Sequence, residues 1–181
     1  MIEAIIIHGP TASGKTELAV KVAQHFNTEI ISFDSRQFYR EMHIGTAKPT
    51  QKELGAVRHH FIDSNTLSDP INVSSYMDSA LPLLQRIGEQ FGRVVLTGGS
   101  NQFLDGLTFG LDPVPVFPEI RKELEHAHID NGIMHLQNML RLSDPGLVDT
   151  LDMNNARRVI RALEVLLGSG KSISHFQTAT K

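Results

Sequence analysis

Cysteine is absent from the 181-residue chain. That removes any disulfide framework and any zinc site built on thiolates. No apolar run approaches the length needed to span a bilayer. The first residues also lack the basic start, apolar stretch and small-residue cleavage site of a secretory leader. No membrane association is therefore expected, and the cytoplasm is the expected compartment. A basic excess is missing too: the net charge is −3, which argues against a protein coated in nucleic acid but leaves room for a local basic patch. The sequence shows no internal repeat and no low-complexity tract. What remains, 40% hydrophobic and 20% charged residues, is an ordinary globular composition. Its length allows one solid core and a small appended subdomain.

The chain is organised around Ile5-Ile6-Ile7-His8-Gly9-Pro10-Thr11-Ala12-Ser13-Gly14-Lys15-Thr16. An apolar run leads into Gly-x-x-x-x-Gly-Lys-Thr, and an amphipathic segment follows from Glu17 to Phe26. This is the strand, loop and helix order of a P-loop. Gly9 and Gly14 permit backbone angles and close approaches that a β-carbon would block. Successive backbone N–H groups can then converge on an anion at the positive end of the helix. Lys15 adds a point charge for terminal phosphate oxygens, and the Thr16 hydroxyl can ligate Mg²⁺. A polyphosphate ligand is expected here.

Glu3 to His8 reads as a buried parallel strand because its isoleucine run is continuous rather than alternating. The first helix should run from Lys15 to Phe26, with Leu18, Val22 and Phe26 on its apolar face. A second strand, Glu29 to Phe33, delivers Asp34-Ser35-Arg36-Gln37-Phe38-Tyr39. A carboxylate just past the C-terminal end of a parallel strand faces the crevice where α/β sheets bind ligands. A helix N-cap would suit Asp34 equally well. Residues 41–69 are irregular, as functional loops often are. Adjacent His59 and His60 point opposite ways on an extended segment, which disfavours a shared metal ion. A capping-box-like start at Ser75 to Asp78 predicts a helix to about Glu89, kinked at Pro82.

A third strand, Arg93 to Thr97, leads into Gly98-Gly99-Ser100-Asn101-Gln102, a second glycine-rich junction on the ligand side of the sheet. There Ser100 is either the N-cap of the next helix or a hydroxyl facing the ligand, and spacing favours the cap. A Walker-B aspartate is missing, since that strand ends in Thr97 and glycines. Asp34 is then the sole strand-end carboxylate of the core. Past Gly110, three prolines in eight residues exclude helix and central strand and mark a linker. Helices are expected from Glu119 to His128 and Ile133 to Leu142. A short turn should start at Asp144-Pro145, and a strong helix should run from Asn154 to Leu167. Val159, Leu163 and Leu166 share the apolar face of that last helix. Arg157, Arg158 and Arg161 cluster on it, with no acid nearby before Glu164, which suits phosphate contacts. The tail from Ser169 to Lys181 is small, polar and expected to fray. The fold class is α/β: a P-loop NTPase-like parallel sheet core over residues 1–111, with a helical insertion subdomain over 112–181.

Together these motifs resemble the tRNA dimethylallyltransferases, also called isopentenyl-diphosphate:tRNA transferases. The resemblance rests on the Gly9–Thr16 loop, Asp34-Ser35-Arg36-Gln37-Phe38-Tyr39 and Ile44-Gly45-Thr46-Ala47-Lys48-Pro49. It extends to His59-His60-Phe61-Ile62-Asp63, Gly98-Gly99-Ser100, and Arg158-Val159-Ile160-Arg161-Ala162-Leu163-Glu164. It implies that the P-loop holds the diphosphate of dimethylallyl diphosphate, with Mg²⁺ on Thr16. The N6 amine of the adenine at position 37, 3′ of the tRNA anticodon, would attack the allylic carbon. Asp34 matches the family's general base. Lys15 would stabilise the leaving diphosphate, and Ser100 stands where the family usually has Thr, near the bridging oxygen. The segment from Asp34, Ser35 and Arg36 to Gln37 matches tRNA contacts, as do Ser100 and Arg157, Arg158, Val159, Ile160 and Arg161; Arg121 matches another. The partners implied are the tRNA anticodon stem-loop and dimethylallyl diphosphate, with the protein acting as a monomer. Members of the family are longer than this chain, and the resemblance places further core elements and arginines in that extra length. A small-molecule or nucleotide P-loop kinase is the alternative, and binding of diphosphate or RNA without turnover is a third reading. The missing Walker-B aspartate and the Asp34-to-Gln37 segment favour prenyl transfer over the kinase.

Overall fold

The computed structural model describes residues 2–177 and divides the chain into two compact units, Met1–Leu111 and Asp112–Lys181. Part of the tail expected to fray, residues 178–181, lies outside the described residues.

The first unit is built on a parallel sheet of four strands: β1 (Glu3–His8), β2 (Ile30–Ser32), β3 (His59–His60) and β4 (Arg93–Gly98), in the spatial order β1-β4-β2-β3. β4 sits between β1 and β2, with Ile5 opposite Val95 and Ile30 opposite Val95 on the other side. Side chains alternate between the two faces of the sheet. Ile30 and Val95 pack with Ala19, Val20 and Ala23 of helix α1 (Lys15–His25). Ile31, Val94 and Leu96 pack on the opposite face with Tyr76, Ala80 and Ile87 of α3 (Val73–Phe91) and Phe103 of α4 (Asn101–Phe109). The result is three layers, helix on sheet on helix. The fold class is thus the expected α/β, P-loop NTPase-like one.

Several local expectations need correcting. The isoleucine run of β1 is not buried. β1 lies at one edge of the sheet, so only Ile5 and Ile7 reach the core beside α1, while Ile6 on the other face is 42% exposed. On α1 the buried residues are Ala19, Val20 and Ala23, while Leu18 is exposed. Of the expected face Val22 does pack, half-buried, against this cluster, and the small Ala19 and Ala23 let the helix lie close to the sheet. The irregular stretch contains helix α2 (Gln51–Ala56), started by a capping box in which Thr50 and Glu53 satisfy each other's backbone amides, and then β3. α3 starts earlier than expected because Asn72 and Ser75 form its capping box. It continues through Pro82 to Phe91.

The second unit holds helix α5 (Pro118–Ser143), interrupted at Gly132, which has φ 75°, then α6 (Pro145–Val148) and α7 (Ala156–Ser169). The break at Gly132 falls between the two helices expected there. Leu124, Leu136 and Leu140 of α5 pack against Val159, Ile160, Ala162 and Leu163 of α7.

Candidate active site

Three strand ends of the first unit converge. Gly14 takes the N-cap position of α1 in the left-handed conformation, φ 82°, and no side chain caps the helix. The first-turn amides are therefore left for an outside acceptor, the condition under which a helix start binds an anion. Lys15 folds back so that Nζ donates to the Pro10 carbonyl. At the end of β2 the Asp34 carboxylate divides its work. Oδ1 accepts from the Arg36 amide at 3.1 Å, capping a turn rather than a helix. Oδ2 faces the end of β4: a β-carbon added to Gly99 would stand 3.5 Å from it and 3.4 Å from the Gly9 carbonyl. At Gly98 a β-carbon would collide with the Phe33 backbone at 2.7 Å. The two glycines thus let the second junction close on both the P-loop and Asp34.

One cavity of about 240 Å³ opens at this point. Thr11, Ala12, Ser13, Gly14, Lys15 and Thr16 form one wall, with Asp34 and Gln37 beside them. Thr46, Ala47, Lys48 and Glu53 form another wall, which carried no site assignment from sequence. Its one signal was the Gly45-Thr46-Ala47-Lys48-Pro49 stretch. Gly9 and Pro10 lie at the base of the loop and do not line the cavity, and neither does Ser100. Ser100 occupies the N-cap position of α4 but makes no capping hydrogen bond, so the favoured cap role does not hold, and its hydroxyl has no hydrogen-bond partner among the described residues.

The charges around the cavity are unequally committed. Glu17 pairs with Lys21 at 2.7 Å, and that hydrogen bond and charge hold its carboxyl below the usual range. Glu53 is engaged in the capping box. Lys48 donates to Asp63 at 2.5 Å and to the Tyr39 carbonyl at 2.7 Å. Lys15 alone of the two lysines has no carboxylate partner among the described residues, so its charge is available to a bound anion. Gln37 is buried and its amide is occupied by Ser32, Thr46 and Ala47. Ser35 and exposed Arg36 follow Asp34 on the same turn.

His59 and His60 make separate contacts. His59 Nδ1 meets the Val57 carbonyl, and burial holds this imidazole's pKa below its ordinary value. His60 Nε2 meets Glu29 at 2.7 Å. Burial alone would raise the Glu29 carboxyl, but hydrogen bonds from His60 and Arg86 outweigh it and keep it low. No group of three or more His, Asp or Glu suited to a metal ion occurs among the described residues.

In the second unit the arginines divide. Arg157 and Arg158 are exposed and make no ion pair among the described residues. Arg161 donates to Glu164 at 2.7 Å and to the Val114 carbonyl at 3.2 Å. Arg121 lies 3.4 Å from Glu125 and 3.9 Å from Glu164. Glu164 is fully buried and also accepts from the Phe117 amide at 2.9 Å. Val159 and Ile160, expected to touch tRNA, are 0% and 5% exposed. Their side chains belong to the core: Val159 sits on the apolar face expected of α7, and that face extends further to Ile160.

A profile of the IPP transferase family matches residues 37–181. The chain belongs to the IPP transferase family. Curated relatives include the tRNA dimethylallyltransferase of Christiangramia forsetii, 44% identical over 98% of this chain and 59% of its own length. That of Levilactobacillus brevis is 40% identical over 99% of this chain and 59% of its own. Among solved structures, the tRNA isopentenylpyrophosphate transferase of Bacillus halodurans is 38% identical with a TM-score of 0.58, over 94% of this chain and 57% of that one. A eukaryotic dimethylallyltransferase acting on tRNA shares the fold at TM-score 0.77 and 24% identity, over 99% of this chain and 45% of its own. This IPP transferase chain spans about three fifths of the length of the curated relatives it matches.

Proposed function

We propose that this chain carries the donor site and part of the RNA grip of a tRNA dimethylallyltransferase. It would transfer a dimethylallyl group from dimethylallyl diphosphate to N6 of the adenine at position 37, 3′ of the anticodon. The observation that carries the reading is one cavity shared by the uncapped start of α1, Lys15 and Asp34, with Gly99 left bare beside them. The loop amides and Lys15 hold the diphosphate and favour the charge that grows on it as the allylic C–O bond breaks. The N6–C bond forms as the diphosphate departs with the electron pair. Asp34 accepts the proton that N6 loses, through the oxygen not spent on the Arg36 amide. The adenine must leave its base stack to reach that carboxylate. Ser100, whose hydroxyl has no hydrogen-bond partner among the described residues, is assigned to the bridging oxygen.

Mg²⁺ suits the residues present. The Thr16 hydroxyl lines the cavity and no acidic cluster competes for the ion among the described residues. Thr16 is the residue that would hold a magnesium ion beside the bound diphosphate. Bound there, it would neutralise diphosphate charge. Ser35, Arg36, Arg157 and Arg158 are the side chains assigned to tRNA, while Arg121 and Arg161, which the resemblance also matched to tRNA, are engaged by Glu164. A tRNA substrate puts the work in the cytoplasm, and no helix among the described residues is long and apolar enough to cross a membrane.

The deciding experiment is calorimetric titration, with Mg²⁺, of a non-reactive dimethylallyl diphosphate analogue against a non-hydrolysable ATP analogue. Preference for the allylic ligand is expected. Preference for the ATP analogue would overturn this reading in favour of a kinase.

A further inference from the structure

Gln37 is placed unlike a residue that meets RNA. It is 9% exposed, and its side chain is used up inside the protein. Nε2 donates to the Thr46 carbonyl at 3.1 Å and to the Ala47 carbonyl at 3.0 Å. Oε1 accepts from the Ser32 hydroxyl at 3.3 Å. A primary amide has two donors and one acceptor oxygen, so both donors are committed and the oxygen is engaged. The two carbonyls also fix which end of the amide faces them, since only the nitrogen can donate.

The segment that Gln37 holds is not relaxed. Ala47 sits at φ 46°, a left-handed conformation in which a β-carbon meets the following carbonyl oxygen. Thr46 is 2% exposed and sends its hydroxyl back to the Met42 and His43 carbonyls. Lys48, the next residue, is tied to Asp63 and Tyr39. Thr46, Ala47 and Lys48 line the same cavity as the P-loop. Gln37 thus joins the end of β2, through Ser32, to a strained wall of the phosphate cavity.

We infer that Gln37 is a positioning residue: it clamps the 46–48 wall of the cavity in place, and it is the diphosphate, not the tRNA, whose binding depends on it. This rests on the diphosphate reading of the cavity. The test is titration of inorganic pyrophosphate with Mg²⁺, in the absence of RNA, into the wild-type chain and the variants Gln37→Ala, Gln37→Glu, Ala47→Gly and Gln37→Ala with Ala47→Gly. Removing two hydrogen bonds predicts roughly tenfold or greater weakening in Gln37→Ala. Gln37→Glu keeps the size but cannot donate to either carbonyl, so it should weaken binding at least as much. Glycine at 47 removes the cost of the left-handed conformation, so the double variant should recover about fivefold over Gln37→Ala. Chemical denaturation of the same variants separates general destabilisation, which would make affinity follow global stability, from loss of the wall, which would not, and an RNA contact would not affect pyrophosphate at all. Unchanged pyrophosphate affinity in folded Gln37→Ala and Gln37→Glu overturns the inference alone, as does absence of any recovery in the double variant. A wild-type chain that binds no pyrophosphate overturns the diphosphate reading and this inference with it.

Discussion

The two units hold their functional side chains by different means. In the first, the backbone does the placing: a left-handed Gly14, a bare Gly99 and a turn after β2 bring Lys15, Thr16 and Asp34 to one cavity. Among the described residues no hydrogen bond reaches Oδ2 of Asp34 and no carboxylate pairs with Lys15. In the second unit, one buried carboxylate decides which cations are free. Glu164 engages Arg161 and draws on Arg121, while Arg157 and Arg158 remain unpaired among the described residues. A site made by backbone geometry depends on glycines and spacing. A site made by partition of charge depends on a residue that never reaches the surface.

The largest effect should come from the backbone-built site. Asp34→Asn keeps the turn but removes the base, so transfer to tRNA should fall by roughly a hundred- to ten-thousand-fold. Pyrophosphate binding should stay near wild type; normal turnover would remove Asp34 from the mechanism. Lys15→Ala should lower transfer as well but, unlike Asp34→Asn, also weaken pyrophosphate by about ten- to a hundredfold because the anion no longer meets a charged donor there. Calorimetry on the two variants side by side checks both statements.

Glu164→Gln tests the charge partition. It leaves Arg161 and the Phe117 amide with a weaker partner, and chemical denaturation should show a loss of roughly 2 kcal/mol. Both arginines are partly exposed and can turn to water, which limits the cost. Arg157→Ala with Arg158→Ala should leave stability within about 0.5 kcal/mol. The same pair should weaken tRNA binding and lower its salt dependence, by up to about 0.7–0.9 in log–log slope for each phosphate left without its arginine. If Glu164→Gln altered nothing while the Arg157, Arg158 pair destabilised the fold, the charge partition would be the wrong way round.

The smallest effect concerns His59. Burial holds its folded pKa below the ordinary 6.5, so the unfolded chain takes up a proton first as pH falls. Stability is therefore full above about 6.5 and declines below it. Thermal melts of His59→Asn, which keeps a donor for the Val57 carbonyl, should decline less between pH 6.5 and 5. An equal decline would assign the acid sensitivity to other groups.

Much of the first unit was legible because its signals are local. Glycine spacing, an apolar run and a carboxylate after a strand are properties of neighbouring residues, and they located Lys15, Thr16 and Asp34. The wall of residues 46–48 was not legible. Thr46 to Lys48 reach the cavity through hydrogen bonds to Gln37 and Asp63, partners nine and fifteen positions away. The exposure of Ile6 was missed because a continuous apolar run implies cover on both faces, and only the strand order tells whether cover exists. On α7 the arginines were visible, but Glu164 stood in the sequence only as the first acid after them. Its burial, and its grip on the Phe117 amide, depend on where the proline-rich segment returns.

The outer edge of β1 has a practical consequence for handling the chain. Along Glu3 to His8 the backbone groups facing away from β4 pair with no strand among the described residues, and Ile6 stands 42% exposed beside them. The nearest charge, Glu3, is paired with Arg93. An apolar edge without a lysine or proline is a template for another chain's strand. Concentrated solutions should therefore self-associate along this line first. Ile6→Lys, which places a charge on the exposed face and touches nothing in the phosphate cavity, is the substitution that should keep the chain in solution.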